Sequence, residues 1–234
     1  MFRKKTVIEY ESILKEYPNS INSAKQYIAD WYKKIPKYRD NNVLDLSKGF
    51  QSTVKHCVPF LEAMTAGYMI VLPYDLYVKN VNGNPYLSWK YVPKENEPRW
   101  RDTLSDPNIV PTGHALTEYT WNLGVSFVVP KGYSILLTHP LNRNDLPFTT
   151  LSGIIDGGFV THQDGSYPFY IKQGFEGIIP QGTPVAQLIP FRNENWKSKK
   201  TKGLIKKGNS NKISSGFILF GWYKKMYWNK KNYN

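Results

Sequence analysis

The sequence predicts a mainly β chain, and three observations predict it. Short apolar runs of strand length recur, among them Gly124–Val129, Tyr133–Leu137, Tyr167–Ile171 and Gly177–Ile179. They are cut by 16 Pro and 17 Gly, which favour turns over long helices. Several runs end in turn chemistry: Val81-Asn82-Gly83-Asn84-Pro85, Pro130-Lys131-Gly132 and Asp156-Gly157-Gly158. At 234 residues, 41% apolar and 15% aromatic, the chain can bury one sizeable core, which excludes a disordered chain.

The elements are expected as follows. Residues 1–18 suit a short helix near 9–17 or a strand near 6–10. After a capping Asn19-Ser20, the residues Ile21, Ala24, Tyr27, Ile28, Trp31, Tyr32 and Ile35 recur at steps of three and four. That spacing predicts an amphipathic helix ended by Pro36, packed on the sheet or offered to a partner. Residues 37–53 read as irregular, and Val54–Phe60 as a short strand. Val71–Val78 reads as a strand interrupted by Pro73, and a hairpin joins Leu76–Val78 to Tyr86–Val92. Residues 93–113, rich in Pro, Glu, Asp and Arg, read as a long surface loop or insertion. Three segments result: a helical extension over 1–53, a β domain over 54–191 and a basic aromatic extension over 192–234 that packs on the core.

Charge separates the last segment from the rest. The net charge is +13, and residues 192–234 hold 12 Lys and Arg against the single acid Glu194. The preceding 191 residues balance to +2. In the tail, lysines alternate with aromatics, from Trp196, Lys199, Lys200, Lys206 and Lys207 to Trp222, Tyr223, Tyr227 and Trp228. Lysines attract phosphates and aromatics stack bases, so the tail is a candidate nucleic-acid surface carried by Lys199, Lys200, Lys206 and Lys207. The other reading is a final strand or helix over Ile218–Trp228 that packs its aromatics on the core.

The single cysteine, Cys57, excludes an intramolecular disulfide and a cysteine-built zinc site. No run suits a signal peptide or a membrane span, so a soluble cytoplasmic protein is expected, with no membrane partner. Richness in Lys, Asn, Ile and Tyr fits AT-rich coding, as in a phage, and the location would then be host cytoplasm or virion. His56, His114, His139 and His162 lack metal-ligand spacing. His162 and Asp164 form a His-x-Asp pair, but no distal histidine follows it, so no metal site is expected.

Residues 151–191 carry the most specific pattern. Gly153-Ile154-Ile155-Asp156 with Phe159 is followed by Gly182-Thr183-Pro184-Val185-Ala186-Gln187-Leu188-Ile189. This resembles the third and fourth motifs of the dUTPase and dCTP-deaminase superfamily, and Ala66-Gly67-Tyr68 resembles the start of its first. The resemblance covers roughly residues 54–191 in motif order and implies a dUTPase-like β-clip, a distorted barrel of short strands, with a homotrimer by analogy. It also implies roles. Asp156 would activate the attacking water, Phe159 would take the place of a Tyr that packs on deoxyribose, and Gln187 and Tyr68 would lie in ligand-binding motifs. The departures are equally specific. Met69 stands where the first motif has Asp, and Thr138-His139-Pro140-Leu141-Asn142-Arg143 replaces Pro-Arg-Ser-Gly. Ser214-Ser215-Gly216-Phe217 keeps little of the Gly-rich fifth motif. The signatures Cys-Val-Pro-Phe, Ala-Gly-Tyr and Trp-Tyr-Lys-Lys also resemble a family of phage and bacterial proteins to which no function is attached.

Each candidate residue has a structural alternative. Asp156 is either a general base or the cap of a Gly-rich turn. Phe159 is either a stacking platform or a core or hairpin aromatic. Gln187 either meets a ligand or bonds backbone across the sheet. The leading expectation is a catalytically silent β-clip that binds or builds. The alternatives are a nucleotide pyrophosphatase using Asp156, which alone would require magnesium, and a nucleic-acid binder acting through the tail. No other cofactor is expected, and a nucleotide or nucleic acid is the candidate partner.

Overall fold

The computed structural model describes residues 6–13, 21–39, 53–89, 97–100, 106–162, 167–217 and 222–233. The chain is mainly β. Its strands are β1 (Glu9–Ser12), β2 (Ile21–Ser23), β3 (Tyr68–Val71), β4 (Leu76–Val81), β5 (Asn84–Trp89), β6 (Arg99–Trp100) and β7 (His114–Trp121). They continue as β8 (Val125–Val128), β9 (Tyr133–Thr138), β10 (Phe148–Thr150), β11 (Gly153–Asp156), β12 (Tyr167–Lys172), β13 (Gly177–Ile179) and β14 (Pro184–Arg192). The helices are α1 (Asp30–Lys34), α2 (Val58–Thr65), α3 (Leu204–Phe217) and α4 (Trp222–Met226).

The largest sheet runs β11-β9-β14-β3-β2, and a second runs β10-β12-β7-β6. Two smaller ones, β13-β4-β5 and β1-β8, complete the set, and every pairing is antiparallel. Among the described residues the sheets stay open and no ring of strands closes. β1 and β2 come from the first 53 residues but hydrogen-bond to β8 and β3, so that segment is woven into the sheets.

The core lies between the sheets because alternate strand residues point to one face. Trp121 stacks on Phe169 with ring centroids 3.5 Å apart, and Phe148 meets Trp121 edge-on. The Trp121 indole N–H donates to Thr150 Oγ1 at 2.9 Å, which satisfies the buried polar atom of this aromatic group. A second, smaller cluster joins Ala29, Tyr32 and Met64, with Phe60 stacked on Tyr32.

Two expectations give way here. The periodic stretch from Ile21 to Ile35 is divided into β2, a 3₁₀ turn over Ala24–Tyr27 and the five-residue α1. The reason is tertiary. Ile21 pairs with Ile70 and the Ala24 N–H bonds the Gly67 carbonyl, so the edge of β3 claims backbone that a helix would use internally. Val54–Phe60 forms a 3₁₀ turn over Val54–His56 and the start of α2 rather than a strand. Pro59 sits in the first turn of α2, where its fixed φ and missing N–H cost nothing.

The hairpin at Asn82-Gly83 forms as predicted. Val81 pairs with Asn84, and both turn residues have positive φ, 52° and 85°. This is the two-residue turn whose twist matches the strands. Part of the expected insertion at 93–113 lies outside the described residues, as does Asp164. In the tail, Leu204–Phe217 form α3. Of the element expected over Ile218–Trp228, residues 218–221 lie outside the described residues and Trp222–Met226 form α4.

Candidate functional site

Asp156 ends β11 directly opposite Ser134 of β9. The Ser134 hydroxyl is buried, 2.8 Å from Asp156 Oδ1 and 2.8 Å from the Asn193 side-chain oxygen position. One hydroxyl proton serves one acceptor, so Ser134 donates to the carboxylate and accepts from the amide once Asn193 is turned. The chain then turns sharply. Gly157 N–H bonds the Tyr133 carbonyl and Gly158 N–H bonds the Val129 carbonyl, both at 2.8 Å. A Cβ on Gly157 would strike the carbonyl oxygens of Pro130 and Tyr133, so this close approach requires glycine. Asp156 therefore combines a turn position with an exposed carboxylate held by Ser134.

Phe159 lies just beyond this turn and is 56% exposed, so it is not a core aromatic. Its ring meets His162 edge-on with centroids 6.5 Å apart. Ile154, in the edge strand β11, and Val160 are exposed as well.

Gln187 is fully buried in β14 between Met69 of β3 and Thr138 of β9. Its amide nitrogen donates to the carbonyls of Ala63 at 2.9 Å and Ala66 at 2.7 Å. Its oxygen accepts the Leu141 N–H at 2.8 Å. The amide thus ties the end of α2 and the loop after β9 to the central sheet. Gln187 and Asp156 do not meet. They lie opposite Thr138 and Ser134, four residues apart along β9, or roughly 13 Å of extended chain.

Tyr68 pairs with Leu188, one row along from Gln187, and so faces the other side of the sheet. Its ring meets Tyr233 edge-on at 6.0 Å. Both rings line a cavity of about 400 Å³, together with Tyr133, Phe191 and Arg192. Burial pushes both phenols above their usual range.

The replaced motifs are occupied by structure. Met69 is 1% exposed, a thioether in the interior at the position where the resemblance calls for a carboxylate. Arg143 forms a two-pronged pair with Asp145, both contacts at 2.9 Å, and donates to the Tyr27 carbonyl at 3.2 Å. Burial pushes the Asp145 carboxyl up, but Arg143 and the Trp31 indole N–H outweigh it and hold it below the usual range. His139 is equally committed. Its Nδ1 accepts the Thr150 N–H at 3.3 Å, which leaves Nε2–H to donate to the Arg143 carbonyl at 3.2 Å.

The residues do not fit magnesium. A hard cation takes several oxygen ligands, usually including more than one carboxylate or a phosphate. Asp156 is accompanied by one hydroxyl and one amide. Among the described residues no group of three His, Cys, Asp or Glu side chains could hold a metal.

In the tail, Lys199, Lys200, Lys206 and Lys207 are all exposed, the last two on α3, and Trp196 is 85% exposed. The sequence missed two features that only folding assembles. Ser134 reaches Asp156 across 22 positions and Asn193 across 59. A set of lysines from both ends of the chain also shares one cavity. Neither leaves a local motif.

No family model and no curated protein sequence matches the chain. Among solved structures, it is similar to a native dUTPase of EIAV at 13% identity and TM-score 0.32, over 84% of this chain and 98% of that one. It is also similar to a point-mutant dUTPase of phage phi11 of S. aureus, described with a structural Mg(II) ion. The identity there is 13% and the TM-score 0.33, over 84% of this chain and 97% of that one. Likeness at this level assigns no residue a role. Among the described residues no helix is long and apolar enough to cross a membrane.

Proposed function

We propose that the chain is a dUTPase-like β-clip without nucleotide hydrolysis, a binding or structural module in which the motif positions serve the fold. The observation that carries this reading is the burial of Met69 beside the fully bonded Gln187, with Arg143 locked on Asp145. A lone carboxylate acts as general base on a phosphate only where a cation or fixed donors hold the electrophile. The arrangement around Asp156 offers one serine and one asparagine. The test is nucleotide hydrolysis with magnesium, wild type against Asp156→Asn. Both are expected at the background rate; turnover that falls with the substitution would restore the pyrophosphatase reading. A homotrimer belongs to the same proposal, with the exposed Ile154, Phe159 and Val160 as the apolar residues to be covered.

A second reading is favoured by the tail. From residue 195 to 234 the sequence contains no acid, and four exposed lysines accompany the exposed Trp196. That combination suits single-stranded nucleic acid of host or phage. Replacing Lys199, Lys200, Lys206 and Lys207 by Gln is expected to flatten the slope of log affinity against log salt by about 3 for single strands. An unchanged slope would remove the tail from the reading.

A further inference from the structure

A second cavity, of about 580 Å³, opens where the end of the chain folds over α2. Six lysines line it: Lys25, Lys37 and Lys55 from the first part of the chain, and Lys224, Lys230 and Lys231 from the last. The one acid facing them is Glu62, which holds Lys231 at 2.6 Å. That contact raises the lysine pKa, chiefly through the hydrogen bond. Lys55 stands over the Tyr32 ring at 4.5 Å and donates to the Lys33 carbonyl at 3.1 Å. Lys25, Lys37 and Lys230 have no ion-pair partner among the described residues. The apolar part of the wall includes Val58, Leu61 and Trp228, and Lys224 lies 5.7 Å from the Trp228 ring.

Three of these lysines come from the part of the chain whose charge is nearly balanced, so their gathering is not a general property of its surface. Like charges around one concavity repel each other, and the field they focus there is relieved by a multivalent anion. The apolar wall and the indole offer a surface to a flat ring. The volume lies within the range of small-molecule sites, roughly 300–1,000 Å³. Walls on two sides, α2 and residues 224–231, suit a compact ligand better than a continuous strand.

We propose that this cavity binds a nucleoside phosphate, with the phosphates among Lys25, Lys37 and Lys230 and the base against Trp228 and the Val58–Leu61 wall. The ligand would join the end of the chain to the body, adding to the Lys231–Glu62 contact. The site is independent of Asp156, and neither proposal above requires it.

Titration calorimetry of the full chain tests this with dTTP, inorganic pyrophosphate and a 12-residue single-stranded oligonucleotide as probes. The expected result is one dTTP per chain, bound at least tenfold more tightly than pyrophosphate and weakened by salt. Lys37→Glu and Lys230→Glu, made separately on exposed positions, are each expected to weaken dTTP binding at least tenfold. Lys79→Glu, which changes the net charge equally on the β4–β5 hairpin, outside the cavity lining, is expected to change it less than twofold. Thermal unfolding of each variant reports that it is folded. No dTTP binding at millimolar concentration, equal affinity for pyrophosphate, tight binding of the oligonucleotide alone, or equal loss in Lys79→Glu would each overturn the proposal.

Discussion

At the scale of single residues, His139 is committed to the fold. Burial is the main cause that lowers its pKa to about 4, and both ring nitrogens are bonded as a neutral imidazole requires. The unfolded chain binds a proton near pH 6.5, so between that value and about 4 the unfolded state holds more protons than the folded state. The stability contributed is complete above pH 6.5 and is lost as the pH falls toward 4, by about 3 kcal/mol. Urea unfolding at pH 7 and pH 4 is expected to show a smaller drop in His139→Gln than in wild type. Equal drops would show that this histidine does not set the slope. Asp156 and Gln187 were legible in the sequence because their motifs are local. Their partners were not, since Ser134 meets Asp156 across 22 positions, Leu141 meets Gln187 across 46, and Asn193 joins Ser134 across 59.

At the scale of elements, short strands with strong turn chemistry were legible and helical periodicity misled. Asn82-Gly83 fixes its hairpin within six residues, so no distant contact can overrule it. The apolar spacing from Ile21 to Ile35 fits a helix, but it is outvoted by hydrogen bonds to β3 and Gly67 that no local pattern announces. Gly67, just before β3, lies tight against the backbone of β14. Its φ is +67°, and a Cβ there would run into the Leu188 carbonyl oxygen. Gly67→Ala is therefore expected to cost about 2–4 kcal/mol, read as a fall in the urea midpoint. Gly83→Ala, with φ +85° and open space around it, is expected to cost only about 1 kcal/mol. Equal costs would mean that backbone conformation, not the close approach, constrains Gly67.

At the scale of the whole molecule, composition separated a nearly neutral body from a basic end but did not say which residues of the two meet. Lys231 pairs with Glu62 and Tyr233 meets Tyr68, so charge from the tail is delivered to the body. In the proposed trimer the exposed Ile154, Phe159 and Val160 would be covered. Light scattering is expected to give about three times the 27.1 kDa chain mass, falling toward one in Ile154→Lys. A wild-type monomer would retire the trimer.

The position of β14 has a consequence in time. It is the strand that joins β9 to β3 in the largest sheet, yet it ends at Arg192 of a 234-residue chain. A ribosome builds from the other end. Until residue 192 has emerged, β9 and β3 have no strand between them, and their apolar faces wait in water beside unpaired backbone. Such late, long-range closure belongs to the slow class of folding, milliseconds to seconds rather than microseconds. Nascent chains halted before β14 should accordingly be the species that chaperones hold and proteases clear.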